Sequence, residues 1–121
     1  MALVGTPNHR GSTLQVVGIA GTGAAAVVIE LDDVSRFDSF ALQSATGAMD
    51  VLGSLDGVTF TAPMALENKL STTPNTRVLV TAATAIFYFE GNLKALRVRQ
   101  SGATAVTGAI LMAGKRGRVQ G

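Results

Sequence analysis

Turn-forming residues break this chain about every 8–12 residues, and the runs between them are too short and too β-branched for helices. "TLQVVGIA" (13–20) and "AAAVVIEL" (24–31) flank Gly21-Thr22-Gly23, and "FDSFALQS" (37–44) follows an acidic corner. "AMDVLGSLDGVTFTA" (48–62) is the clearest hairpin, with Asp56-Gly57 at a turn that needs positive φ. Pro63 cannot donate to a ladder, so it ends the returning strand or bends it at an edge. "ENKLSTTPNT" (67–76) is the longest polar loop, followed by "RVLVTAA", "TAIFYFEG", "LKALRVRQ" (93–100) and "AVTGAILMAG" (105–114). No window pairs i, i+3, i+4 periodicity with helix caps. The expectation is an all-β sandwich or barrel of about eight strands. An irregular arm (1–12), a β-domain (13–114) and a short basic tail (115–121) complete the division.

Alternation within the runs assigns faces. Phe40 and Leu42 point one way, Phe60 points inward between Thr59 and Thr61, and Leu96 and Val98 oppose Arg97 and Arg99. "AVVIEL", "AIFYF" and "AILMA" lack such a polar side and read as strands covered on both faces. A two-sheet sandwich covers one face per strand, so a loop, an arm or a neighbouring chain is expected over the other.

The composition points the same way. Charged residues are 15% of the 121, against about 25% in typical soluble domains. Ala, Gly, Thr and Ser take their place, so part of the exterior is expected to be covered by other subunits. One domain with a real core fits this length. No Cys is present, which removes disulfides and thiolate metal sites, and a net charge of +2 is too mild for a nucleic-acid field. Residues 11–29 carry no charge and approach membrane-spanning length, but "AGTG" in their midst is turn chemistry; a soluble chain without an export signal is expected.

Catalytic chemistry finds few footholds. His9 is the sole histidine and falls in the irregular lead-in. Glu30, Asp32, Asp33 and Asp38 form the densest acidic cluster, a corner that could hold Ca²⁺ but lacks EF-hand spacing; solvated acids are the commoner reading. Glycoside hydrolysis would need aromatic walls, and the chain has no Trp and one Tyr. "GTGAAA" (21–26) imitates a dinucleotide fingerprint, yet its glycines work only ahead of a helix; a Gly-rich hairpin turn is expected instead. No enzyme and no cofactor are expected. Arg97, Arg99 and Lys94, with Lys115, Arg116 and Arg118 of the tail, are candidate contacts for a protein partner offering carboxylates. Reversing Arg97 and Arg99 to Glu should then leave the fold intact and weaken binding.

"VLGSLDGVTFTAPMAL" (51–66) followed by "FEGNLKALRVRQSGATAVTGAILMAG" (89–114) resembles small β-sandwich virion proteins of tailed bacteriophages. Over the same hairpin and Arg strand the chain also resembles discoidin-like jelly rolls, whose loop aromatics it lacks. The phage resemblance implies a jelly-roll sandwich without catalysis: a capsid decoration (cement) protein on the phage particle surface, made in the host cytoplasm. Its implied partners are further copies of itself, as a trimer, and the major capsid protein or another virion protein, with neither membrane nor nucleic acid. A carbohydrate- or host-binding module of a tail, baseplate or fibre is the alternative.

Overall fold

The computed structural model describes residues 4–10, 13–68 and 77–115, the Arg10 side chain excepted. These form β1 (Thr6–Arg10), β2 (Thr13–Val17), β3 (Val27–Leu31), β4 (Ser39–Gln43) and β5 (Met49–Ser54). The chain continues through β6 (Leu66–Asn68), β7 (Arg77–Val78), β8 (Phe87–Glu90), β9 (Ala95–Gln100) and β10 (Ile110–Gly114). The described residues contain no helix, hence none long and apolar enough to cross a membrane.

Two antiparallel sheets carry these ten described strands. The larger runs β1-β2-β10-β4-β8-β6-β7 and the smaller β3-β9-β5. Early strands pair late ones in a nested series, β2 with β10, β3 with β9 and β4 with β8. That is a long antiparallel ribbon rolled on itself, with β10 meeting β4 and β9 meeting β5 at the seams. It is the jelly-roll order. The ribbon's eighth strand, due beside β5, is broken. Thr61 N–H donates to Gly53 O (2.9 Å) and Met64 N–H to Val51 O (2.8 Å), but Pro63 between them has no N–H to continue the ladder. Beyond this break the chain adds β6 and β7 to the large sheet instead.

The N-terminal segment departs from expectation. Residues 6–10 form a strand on the β2 edge, not an irregular lead-in, and His9 lies on that strand. Val4 belongs to the other sheet: its N–H donates to Glu30 O (2.8 Å) and its carbonyl accepts from Glu30 N–H (3.0 Å). Gly5, at φ 103, turns the chain between the two edges. Gly18 N–H donates to Ala109 O (2.8 Å), so Leu14 and Val16 direct their backbone groups at β10, while Thr13, Gln15 and Val17 direct theirs at β1. Thr6 and Asn8 answer Val17 and Gln15. Pro7 therefore takes an outward position, where the missing N–H blunts the open edge.

Between the sheets lies one core. Leu14, Val16, Phe40, Leu42, Phe87, Phe89 and Leu111 enter from the larger sheet and Ile29, Leu31, Met49, Val51, Leu96 and Val98 from the smaller. Phe40 and Phe89, partners across β4–β8, stack at 4.9 Å between ring centroids. The residues read as doubly covered resolve in different ways. In β3 a bulge between Val27 and Ile29 buries both Val28 and Ile29 within this chain. In β8 and β10 the pattern alternates: Phe87, Phe89, Leu111 and Ala113 point in, whereas Tyr88, Ile110 and Met112 do not. Met112 is 37% exposed, so its face is not covered by this chain.

Gly21-Thr22-Gly23 is an inter-sheet corner and not a hairpin turn, since β2 and β3 lie in different sheets. A strand follows it where a dinucleotide site needs a helix.

Candidate interaction surfaces

The β9 arginines stand on the outer face of the smaller sheet, as their spacing predicts. Both are engaged within the chain. Arg97 is opposite Glu30 in register and donates to both carboxylate oxygens, Nε to Oε1 at 3.0 Å and Nη2 to Oε2 at 3.1 Å. Arg99 is opposite Asp50 and donates likewise, Nε to Oδ1 at 3.0 Å and Nη2 to Oδ2 at 3.3 Å. Such forked pairs are stronger than single-contact ones. Hydrogen bonding to Asp50, opposed by burial, raises the Arg99 pKa further. Phe60 is not a core residue: its ring lies 4.1 Å beneath the Arg97 guanidinium, half-buried. The ladder is thus electrically neutral and partly sheltered.

Of the other candidate residues, the two that are described, Lys94 and Lys115, do not share a face. Lys94 Nζ lies 3.4 Å from Asp33 Oδ2. Lys115 is exposed beyond the end of β10, on the other sheet. Arg116 and Arg118 lie outside the described residues.

The acidic corner is likewise divided among structural tasks. Glu30 serves Arg97. Asp33 accepts from Ser35 Oγ (2.6 Å) and Ser35 N–H (3.1 Å), and these bonds, with Lys94, lower its pKa to about 2. No group of three or more carboxylate, His or Cys side chains converges as a metal site among the described residues. His9 Nδ1 lies 3.2 Å from Arg36 Nη2, in a cleft of about 300 Å³ that also takes in Asp32 and Phe37.

Four described loops at the opposite end of the sandwich carry no ionisable side chain. Loops 18–26, 44–48, 81–86 and 101–109 are built from Ala, Gly, Thr and Ser with a few aliphatics. They are knitted to one another: Gly21 N–H to Val106 O (2.9 Å), Ala45 N–H to Thr107 O (2.9 Å), Thr84 N–H to Ser44 O (2.8 Å) and Ser101 N–H to Ala48 O (2.9 Å). Buried Gln100 braces loop 101–109, its Nε2 donating to Gly102 O (2.7 Å) and its Oε1 accepting from Val106 N–H (3.2 Å). The result is a rigid, uncharged platform. Composition announced the shortage of charge, but only the topology collects four uncharged loops at one end.

The outer face of the larger sheet is uncharged over its middle strands and bordered beyond Tyr88 by Glu90 and the Glu67–Arg77 pair. Across it Gln15, Met112, Ala41 and Tyr88 form one row in register, with Val17 and Ile110 in the next. Strand alternation could have revealed it from the sequence, had β10 not read as covered on both faces.

No protein-family model matches this chain, and no curated protein matches its sequence. Among solved structures, the SPBc2 prophage-derived protein YomS shares the fold, with a TM-score of 0.62 at 15% identity over 93% of this chain and 98% of that one.

Proposed function

We propose that this chain is a non-enzymatic structural protein of a phage virion, a capsid decoration protein that self-associates and seats on the major capsid protein. The observation that carries this reading is the cluster of four uncharged loops at one end. A platform of small residues, cross-bonded through its backbone, presents area that needs no charge to be neutralised and loses little side-chain entropy on docking. The fold shared with a prophage-derived protein supports the setting, as does the resemblance of residues 51–66 and 89–114 to phage virion proteins. The non-enzymatic part rests on how the reactive groups are employed: Glu30 and Asp50 hold arginines, Asp33 and Asp56 hold loops, and His9 meets Arg36.

The mechanism is mechanical. A standard interface of about 1,600 Å² supplies ample gross hydrophobic driving force before association costs, and repetition over identical sites multiplies modest contacts. The test is immunogold labelling of particles from a host that carries this gene, with quantitative mass spectrometry of the same gradient fractions. Labelling distributed over heads at high copy number is expected. Labelling at tails or fibres would move the chain to host recognition, and absence from particles would overturn the reading.

A further inference from the structure

Asp56-Gly57 is the only Asp-Gly or Asn-Gly pair in the sequence. That dipeptide carries a reaction of its own. When the aspartic acid is neutral, the glycine backbone nitrogen can attack the side-chain carboxyl carbon. An N–Cγ bond forms, the amide hydrogen leaves with a carboxyl hydroxyl as water, and a cyclic imide results. Water then adds back at either imide carbonyl and gives aspartate or isoaspartate, the latter with an extra methylene in the main chain. Glycine favours the attack because no Cβ shields its nitrogen and its backbone turns freely. Asp56 is exposed at the tip of the β5 hairpin, so the water needed is at hand.

The fold engages both reacting groups. Ser54 Oγ donates to Asp56 Oδ1 (2.9 Å) and accepts from Gly57 N–H (2.8 Å). One hydroxyl thus holds electrophile and nucleophile together. Oδ1 also accepts from Thr59 N–H (2.7 Å) and Val58 N–H (2.8 Å), which ties the carboxylate to the residues beyond Gly57. Those bonds, with the one from Ser54, hold the Asp56 pKa at about 2. The carboxyl therefore stays ionised, and a poor electrophile, where an ordinary aspartic acid is partly neutral. Ser54 itself is buried at the end of β5, opposite Ala95 in register, and its carbonyl accepts from Lys94 N–H (2.8 Å). The sheet anchors the residue to which the exposed tip is tied.

We propose that Asp56 is a latent isomerisation site, held shut by the Ser54 hydroxyl through its simultaneous bonds to the Asp56 carboxylate and the Gly57 amide. Ser54 is a positioning residue: it touches both groups and reacts with neither. Loss of its hydroxyl frees the Gly57 nitrogen and one carboxylate bond in the same stroke. The isoaspartate that follows lengthens the main chain within the turn and displaces the carboxylate that Val58 and Thr59 bind. The inference is independent of the proposed function, since it concerns the chain's own covalent chemistry.

Isoaspartate is measured by enzymatic methylation and by mass spectrometry of the peptide carrying residue 56, after the full chain is incubated in mildly acidic buffer. Asp56→Glu, whose longer side chain closes the ring far more slowly, sets the baseline. Folded wild type is expected to isomerise more slowly than the same chain in urea by about tenfold or more. Folded Ser54→Ala should gain about tenfold over folded wild type, the factor set by losing one hydrogen bond to a charged group. Ser54→Cys, close in shape but far weaker in hydrogen bonding, replaces it should Ser54→Ala fail to fold. Thr61→Ala is the control for a merely loosened hairpin. It removes the bond that Thr61 Oγ1 accepts from Gly53 N–H (3.2 Å) and leaves the Ser54 bonds in place, so its rate should match wild type. A Ser54 variant no faster than wild type would overturn the proposal. So would a Thr61→Ala variant as fast as Ser54→Ala, or a folded chain that isomerises as fast as the unfolded one.

Discussion

Arg97 and Glu30 face each other across the β3–β9 ladder and share two parallel hydrogen bonds of 3.0 and 3.1 Å. The Glu30 side chain is only 12% exposed and Arg97 31%, so the pair is partly withdrawn from water. Removing one partner strands the other's charge in that setting.

Charge reversal at position 97 is therefore expected to act on the fold itself. Arg97→Glu would set two carboxylates face to face and leave Phe60 without its cation. Urea melts should show a loss of about 2–4 kcal/mol. The swapped double variant Glu30→Arg with Arg97→Glu should recover part of it, with a coupling of about 1–2 kcal/mol in the double-mutant cycle. A cycle showing no coupling would refute the pairing. This replaces the sequence-based expectation that reversing both arginines leaves the fold untouched.

Two glycines separate backbone strain from steric exclusion. Gly47 and Gly57 have nearly the same φ, 82 and 83. A Cβ at Gly57 would meet only the flexible Lys94 side chain, at 3.5 Å, whereas at Gly47 it would sit 2.7 Å from the Ala105 carbonyl oxygen. Gly57→Ala should cost about 1–2 kcal/mol of left-handed strain. Gly47→Ala carries the same strain plus about 1–3 kcal/mol of overpacking. Equal losses in thermal melts would count against the close packing of loops 44–48 and 101–109.

Acid should loosen the β5 tip. Bonds from the Thr59 and Val58 N–H groups and the Ser54 hydroxyl hold the Asp56 pKa at about 2, below its ordinary 3.8. A depressed folded-state pKa means the contribution is fully present above about pH 4 and disappears as pH falls toward 2. Asp33 follows the same course through Ser35 and Lys94. Thermal melts between pH 6 and 2 should show Asp56→Asn less acid-sensitive than wild type across that window, and identical slopes would contradict the account.

The stacked pair in the core sets a larger scale. Phe40 is fully buried against Phe89. Phe40→Ala should destabilise by about 3–5 kcal/mol, and Phe40→Leu by clearly less. A Phe40→Ala variant as stable as wild type would mean the two sheets can close over the void.

What was legible in the sequence was local. Asp56-Gly57 marks its turn because few other residues tolerate positive φ there, and Leu96, Arg97, Val98 and Arg99 declare opposite faces because strand side chains alternate. The all-β class followed from such signals repeated along the chain. Short-range chemistry also explains why Pro63 interrupts the ribbon.

Partners across the ladder were not legible. Nothing near Arg97 in the chain announces Glu30, 67 residues away; the β3–β9 register makes the pair, and so turns an apparent basic surface into a neutral one. Residues 6–10 looked irregular alone because a strand with exposed side chains owes its order to the neighbour it bonds, here β2. The bulge in β3 and the cluster of four uncharged loops exist only once distant segments are brought together. Residue types set which side chains seek water or shelter; long-range pairing decides which of them meet.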